Sequence, residues 1–528
     1  TNAVNSITTG DYNVGLGDEA LTDNTSGADN VAVGYLALSD NTTGIRNVAI
    51  GNRALLANTT GNDNISMGVS SLSTNTTGSF NTALGRLALQ NNTTGASNTA
   101  VGYQSLKDNT TGGDNVAIGE LAMENNTTGI RNTAMGSSAL FTKTTGNDNV
   151  AIGNAALYAN TTASNNTAVG GNTLAANTTG ASNTATGFKS MFLNTTGLQN
   201  AAFGYEALYS NTSGNYNIAL GITALGANTT GDNNVAVGRL ALTGNTTADD
   251  NTAVGYQSLT GNTTGNNNTA VGKDSLSRNT TGIEGTAVGM NALDHNTTGT
   301  ANTAVGYAAV TAVSTGSYNT GVGRASLASV TTSNYNTGLG AYSLSGNTTG
   351  TSNVAVGYQA GMTINTGDYN VAVGATALDV ATSANYNTAV GYASLGANTT
   401  GPENTAVGSY ALLANITHEA SVAVGYNALR ASVSNSNTAV GHAGSYGPAI
   451  GKQAMQANTT GGSNTAVGSY ALDGNTTAGN LTAVGVGALG GTNTGSNNSA
   501  VGYSALTGNT SGHSNTALGR FALCGNTT

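Results

Sequence analysis

Glycine returns at every seventeenth position. Gly17, Gly34, Gly51, Gly68, Gly85 and Gly102 open a series that keeps its step to Gly425 and resumes from Gly451 to Gly519. With Gly441 in a disturbed stretch, 31 such positions can be counted. Written from four residues before this anchor glycine, the unit reads N-T-A-V-G-Y-x-A-L-x-x-N-T-T-G-x-x, as in Asn98 to Asp114. A fixed unit this short cannot enclose a core of its own. It must be one coil of a stack in which each coil covers the next.

Composition removes the competing explanations. Glycine does not recur at every third place, so a collagen helix is excluded. The strict register of apolar residues argues against a disordered Gly/Asn/Thr-rich chain. Charged residues make up 7%, far below the roughly 25% of ordinary domains. The net charge of −10 is spread over 528 residues without a basic patch, which speaks against a nucleic-acid partner. No apolar run approaches the length of a membrane span. Both ends read as cuts within a longer array, because Thr528 falls inside an N-T-T-G turn.

Each position of the unit has an expected task. N-T-A-V-G alternates with period two and reads as a strand. Its larger side chains, Val33, Ile50 and Val101, are expected to point into the coil. The small face, Ala32 with Gly34 and Ala100 with Gly102, is then left flat for another chain. A second short strand is expected at the small-residue–leucine pair. Leucine fills that place in 25 of 31 units, and Leu38, Leu55, Leu89 and Leu106 are expected to form a second buried column. N-T-T-G, as in Asn41 to Gly44, reads as a turn whose glycine supplies a positive φ. Ala163, Ala248 and Ala384 replace that glycine.

The strand-opening asparagine occurs in 27 of 31 units. Equivalent residues of successive units would lie about 4.8 Å apart along the stack. Asn30, Asn47, Asn64, Asn81, Asn98 and Asn115 are therefore expected to bond up and down the stack as a ladder.

The expected fold is all-β: a parallel β-solenoid, or β-roll, of about 31 coils with a 17-residue repeat, on the order of 150 Å long. One Val and one Leu per coil bury too little to offset the ordering of a whole repeat. A trimer or filament is therefore expected. Regular coils span residues 1–425 and 452–528, with an irregular coil at 426–451. There the anchors Gly425 and Gly451 stand too close together for two full coils. The stretch His442 to Ile450 lacks the A-L pair and the N-T-T-G turn, and contains Pro448. A local notch or thinned coil is the expected result, with a binding loop as the alternative.

The strand N-T-A-V-G-Y resembles the N-S-V-A-I-G type of repeat in the head domains of trimeric autotransporter adhesins. Similar repeats occur in bacteriophage tail-fibre-like proteins and large bacterial surface proteins. The resemblance covers nearly the whole chain, although the adhesin unit is usually shorter than the one here. It implies three chains around one axis and a place on a cell or virion surface.

Chemistry is sparse. His295, His418, His442 and His513 share no motif and no metal-ligand spacing. Asp249-Asp250 in a turn is a weak Ca²⁺ candidate. Gly485 to Gly490 matches G-x-G-x-x-G, but Gly485 is an anchor and no helix follows, so no nucleotide site is implied. Cys524 is the single cysteine and reads as a surface or turn residue. No enzyme activity and no cofactor are expected.

Tyrosines follow the anchor at Tyr35, Tyr103 and Tyr205 and precede the strand at Tyr318, Tyr335, Tyr369 and Tyr386. They could cover a sheet edge or bind surface carbohydrate. In-register sequons at Asn41, Asn58, Asn75 and Asn109 could carry glycans on an exported chain. The function expected is an extracellular structural or adhesive fibre. The alternative is a bacteriophage tail fibre recognising host glycans. Ice binding through Thr rows and a polysaccharide-cleaving tailspike are the weaker readings.

Overall fold

The computed structural model describes residues 8–142, 144–440 and 453–528. It divides into two compact units, residues 1–264 and 265–528. Among the described residues the first unit contains fifteen strands of three residues, β1 (Val14–Leu16) to β15 (Thr252–Val254). The second contains fifteen more, β16 (Thr269–Val271) to β30 (Thr516–Leu518).

Within each unit consecutive strands pair in parallel. The partners in the regular coils are one repeat apart: Val31 with Val48, Ala32 with Ala49, Val33 with Ile50. Each strand sits between its two sequence neighbours, so every coil covers the next. Val31 N–H donates forward to the Asn47 carbonyl at 2.8 Å, and Gly34 N–H donates back to the Leu16 carbonyl at 2.8 Å.

The strand faces are the reverse of those expected. Ala32, Ala49, Ala100 and Ala117, the middle residues, are fully buried. Val33, Ile50 and Val101 lie on the outer face and are half-buried, and Leu84 in the same row is 47% exposed. Period-two alternation defines two faces but does not say which is inside. A coil this short is too narrow to hold both a Val and the leucine column. Alanine fits beside Leu38, Leu55, Leu89 and Leu106, which are all fully buried. Ala32 and Ala100 are therefore part of each coil's own core. They offer no surface to another chain.

The second strand is also absent. After the anchor glycine the chain runs through turns, with left-handed residues at alternate positions: Leu36 (φ 56°) and Leu38 (φ 53°), then Arg53 and Leu55, then Gln104 and Leu106. Left-handed backbone costs a bulky L-residue roughly 1–2 kcal/mol. Hydrogen bonds between coils offset that cost. Leu36 N–H donates to the preceding coil at Asp18 O (3.0 Å), and Leu38 N–H to the following coil at Ala54 O (3.0 Å). The segment thus directs its amides alternately up and down the stack without being extended.

The anchor and turn glycines serve different needs. Anchor φ values lie in the left-handed half of the map, +137° at Gly34 and +135° at Gly102. A Cβ on Gly102 would stand 2.4 Å from the Gly119 carbonyl oxygen of the next coil. The turn glycine Gly44 takes no left-handed φ, contrary to expectation. It is small because a Cβ would meet Gly61 O at 2.5 Å.

Strand pairing continues across the register break. Strand β25 (Val422–Val424) pairs with β26 (Thr438–Val440), Val422 standing beside Thr438, one residue short of a full repeat. Strand β26 pairs directly with β27 (Thr465–Val467), Thr438 standing beside Thr465. Asn464 N–H donates to Asn437 Oδ1 at 3.2 Å across this longer step, and Ser434 Oγ donates to Gly461 O at 2.8 Å. Strand pairing and the Asn437–Asn464 step of the ladder thus continue across the break. The expected notch falls largely on residues 441–452, outside the described residues.

Candidate functional site

Two asparagine ladders line the interior. In the strand-opening ladder, Asn47 donates to Asn30 Oδ1 from both its backbone N–H (2.9 Å) and Nδ2 (3.1 Å). Its Nδ2 also reaches Gly61 O at 2.9 Å. The same triple set recurs at Asn64, Asn81, Asn98 and Asn115. All of these side chains are fully buried. Each coil satisfies polar groups of the coil before it, as burial requires.

The second ladder uses the turn asparagines, whose sequons suggest glycosylation. Asn41, Asn58, Asn75 and Asn109 are fully buried. Asn58 Nδ2 donates to Asn41 Oδ1 (2.9 Å) and Gly61 O (3.0 Å). Asn109 Nδ2 likewise donates to Asn92 Oδ1 (2.7 Å) and Gly112 O (2.9 Å). Nδ2 is the atom that would carry a glycan, so this coil has no room for one. Turn geometry accounts for the N-x-T pattern.

Threonine adds an outer row. Thr42 and Thr43 N–H and Thr42 Oγ all donate to the Thr59 carbonyl, at 3.0, 3.1 and 2.9 Å.

A further set of acceptors occupies a place that looks variable in the sequence, and sequence reasoning missed it. Ile45 N–H donates to Asn62 Oδ1 at 2.9 Å, Asp232 N–H to Asp249 Oδ1 at 2.7 Å and Thr351 N–H to Asp368 Oδ1 at 2.7 Å. The frequent Asn, Asp and Ser at that place was the available signal. It gives Asp249, the calcium candidate, a structural task. Among the described residues no group of three His, Cys, Asp or Glu could hold a metal ion.

The outer strand face is a continuous uncharged surface among the described residues of each unit. Its rows contain Val, Thr, Ile, Leu, Met, Ala, Phe and Ser, and no charged residue. Leu84, Met135, Leu220 and Leu339 are 40–48% exposed. Aromatic rows border it. Tyr318 stacks on Tyr335 at 5.3 Å and Tyr369 on Tyr386 at 5.2 Å. Arg86 lies over Tyr103 at 5.8 Å. Neighbouring coils also exchange charge: Arg46 forks onto Asp63 at 2.6 and 2.9 Å, which holds the Asp63 carboxyl below its ordinary value.

Burial pushes the carboxyls of Asp379 and Asp473 up. For a carboxyl raised on folding, stability falls as pH rises from the ordinary carboxylate value through the raised folded one. The double substitution Asp379→Asn, Asp473→Asn is expected to raise the melting temperature slightly at pH 7. At pH 3, where both forms are neutral, the gain should vanish. Melting curves at the two pH values check this.

These features define a parallel β-solenoid repeat protein whose coils are joined by asparagine ladders. No protein-family model matches the chain, and no curated protein matches it. Among the described residues no helix is long and apolar enough to cross a membrane.

Proposed function

We propose that the chain is a self-associating segment of an extracellular fibre, a repeat rod for surface attachment or display. The carrying observation is the uncharged outer strand face. A solvated sheet face ordinarily turns polar residues to water. Here the outward row formed by the third residue of each strand is apolar at every described position but Thr186, the row beside it is mostly Thr, Val or Ile, and the inner face is mostly alanine. Fifteen strands spaced about 4.8 Å apart and about 10 Å wide present roughly 700 Å² per unit. A stable interface needs about 800 Å² from each partner, so the face of one unit nearly meets that requirement. Its ridges repeat at the coil spacing, and another copy has ridges of the same spacing. Three copies are the number suggested by the resemblance to adhesin heads. A bacteriophage tail fibre recognising host glycans is the second reading, favoured by exposed tyrosine rows such as Tyr335, 60% exposed.

The test is mass in solution. The native chain is expected to run as a trimer, and the triple substitution Val33→Lys, Val101→Lys, Val169→Lys to shift it to monomer with unchanged circular dichroism. A native chain that stays monomeric at tens of micromolar would sink the proposal.

A further inference from the structure

Four of the six phenylalanines lie between residues 141 and 203, so the array is not uniform. In most regular coils the fifth residue after the anchor is non-aromatic, as at Ser39, Lys107 and Thr243. In four of five consecutive coils it is aromatic: Phe141, Tyr158, Phe192 and Tyr209, with Ala175 in the middle. Phe141 and Tyr158 stack at 5.1 Å with their planes 7° apart. Phe192 and Tyr209 stack at 5.4 Å and 17°. Both pairs follow the coil spacing. Where Ala175 replaces a ring, a cleft of about 380 Å³ opens between Tyr158 and Phe192, floored by Ala175 and Ala176 and bordered by Ala155 and Asn172.

We propose that this cleft binds one pyranose ring of a neutral glycan, held between Tyr158 and Phe192. The chemistry of the walls selects the ligand. They are two coils apart, about 9.6 Å along the stack. A pyranose turns C–H groups from both of its faces onto the aromatic rings above and below it. The Asn172 amide at the rim supplies a donor and an acceptor for ring hydroxyls. The cleft deepens the glycan-recognising reading. The self-association test is independent of it, so either can fail alone.

Isothermal titration of the intact protein with cellopentaose is expected to give a saturable heat. Ala175→Phe completes the ring stack and fills the cleft; it should abolish binding while leaving the melting temperature equal or higher. Phe192→Ala removes one wall and should weaken binding about ten-fold. Absence of saturation up to about 10 mM cellopentaose overturns the proposal. So does binding that Ala175→Phe leaves intact, or tighter saturation by phenol, a flat guest, than by the sugar.

Discussion

Gly102→Ala is expected to split the stack between two coils. The anchor φ of +135° is strained for any L-residue with a side chain. The new methyl would also stand 2.4 Å from Gly119 O and 2.7 Å from its carbonyl carbon. Both contacts are with backbone, which cannot rotate away. Left-handed strain and forced separation together should cost about 3 kcal/mol or more. In a repeat array the damage stays local, because each coil touches only its neighbours. Amide exchange at Gly119 and Thr99 should accelerate by two orders of magnitude or more, while that around Val235 stays unchanged. The control is Gly112→Ala in the neighbouring turn. A Cβ there would also stand 2.4 Å from a backbone oxygen, Gly129 O, but Gly112 has no left-handed φ to strain. Ala163, Ala248 and Ala384 occupy the equivalent place with at most 3% exposure, so the turn can shift to accept a methyl and the effect should be several-fold smaller. Equal effects at Gly102 and Gly112 would refute the distinction between the two glycines.

Asn98→Asp is expected to be strongly destabilising, and to be largely reversed by acid. Asn98 Nδ2 donates to two acceptors, Asn81 Oδ1 at 3.1 Å and Gly112 O at 2.9 Å. Aspartate puts a second oxygen in that place, facing both acceptors, and the residue is fully buried. A buried charge without a partner costs about 3–5 kcal/mol. The new carboxyl must therefore titrate far above its ordinary value in the folded chain. The charge's share of the destabilisation is absent below the ordinary carboxylate value and grows as pH rises towards the folded one. Melting at pH 3 should fall short of the native chain only by the one hydrogen bond that a single carboxyl proton cannot replace, and melting at pH 7 should fall clearly further below it. Asn98→Leu should be milder. Leu481 occupies the ladder position naturally, and its backbone N–H still reaches Asn464 Oδ1 at 2.9 Å. Gly285 and Ser421 keep the same backbone bond, at 2.8 and 3.0 Å. A pH-independent loss in Asn98→Asp would show that volume rather than charge governs the ladder.

Those interruptions also explain how much could be read without coordinates. The strand-opening asparagine was legible because the fixed period places Asn30 beside Asn47 whatever the rest of the coil does. The turn asparagine was harder to read. Its sequon matches a modification signal, and only burial of Asn58 Nδ2 shows that the atom is already used. The acceptor role of Asn62 and Asp249 was hidden because several residue types can accept one backbone hydrogen bond. The Tyr158–Phe192 cleft appears as a run of aromatics with one gap, and that gap has meaning only once the coil spacing sets its width.

The period alone determined the parallel register, the one-coil step between partners and the column of buried leucines. A chain with one fixed period places like on like, and leucine in 25 of 31 units can only form a column. The tertiary structure alone decided which strand face turns inward, because alternation has two faces and no sign. The coil radius supplied the sign. Beside the leucine column there is space for Ala32 and Ala100, and none for Val33 and Val101. It also decided that Leu36 and Leu38 adopt left-handed backbone in place of a second strand. Local preference opposes that conformation, and only the carbonyls of the coils on either side make it favourable.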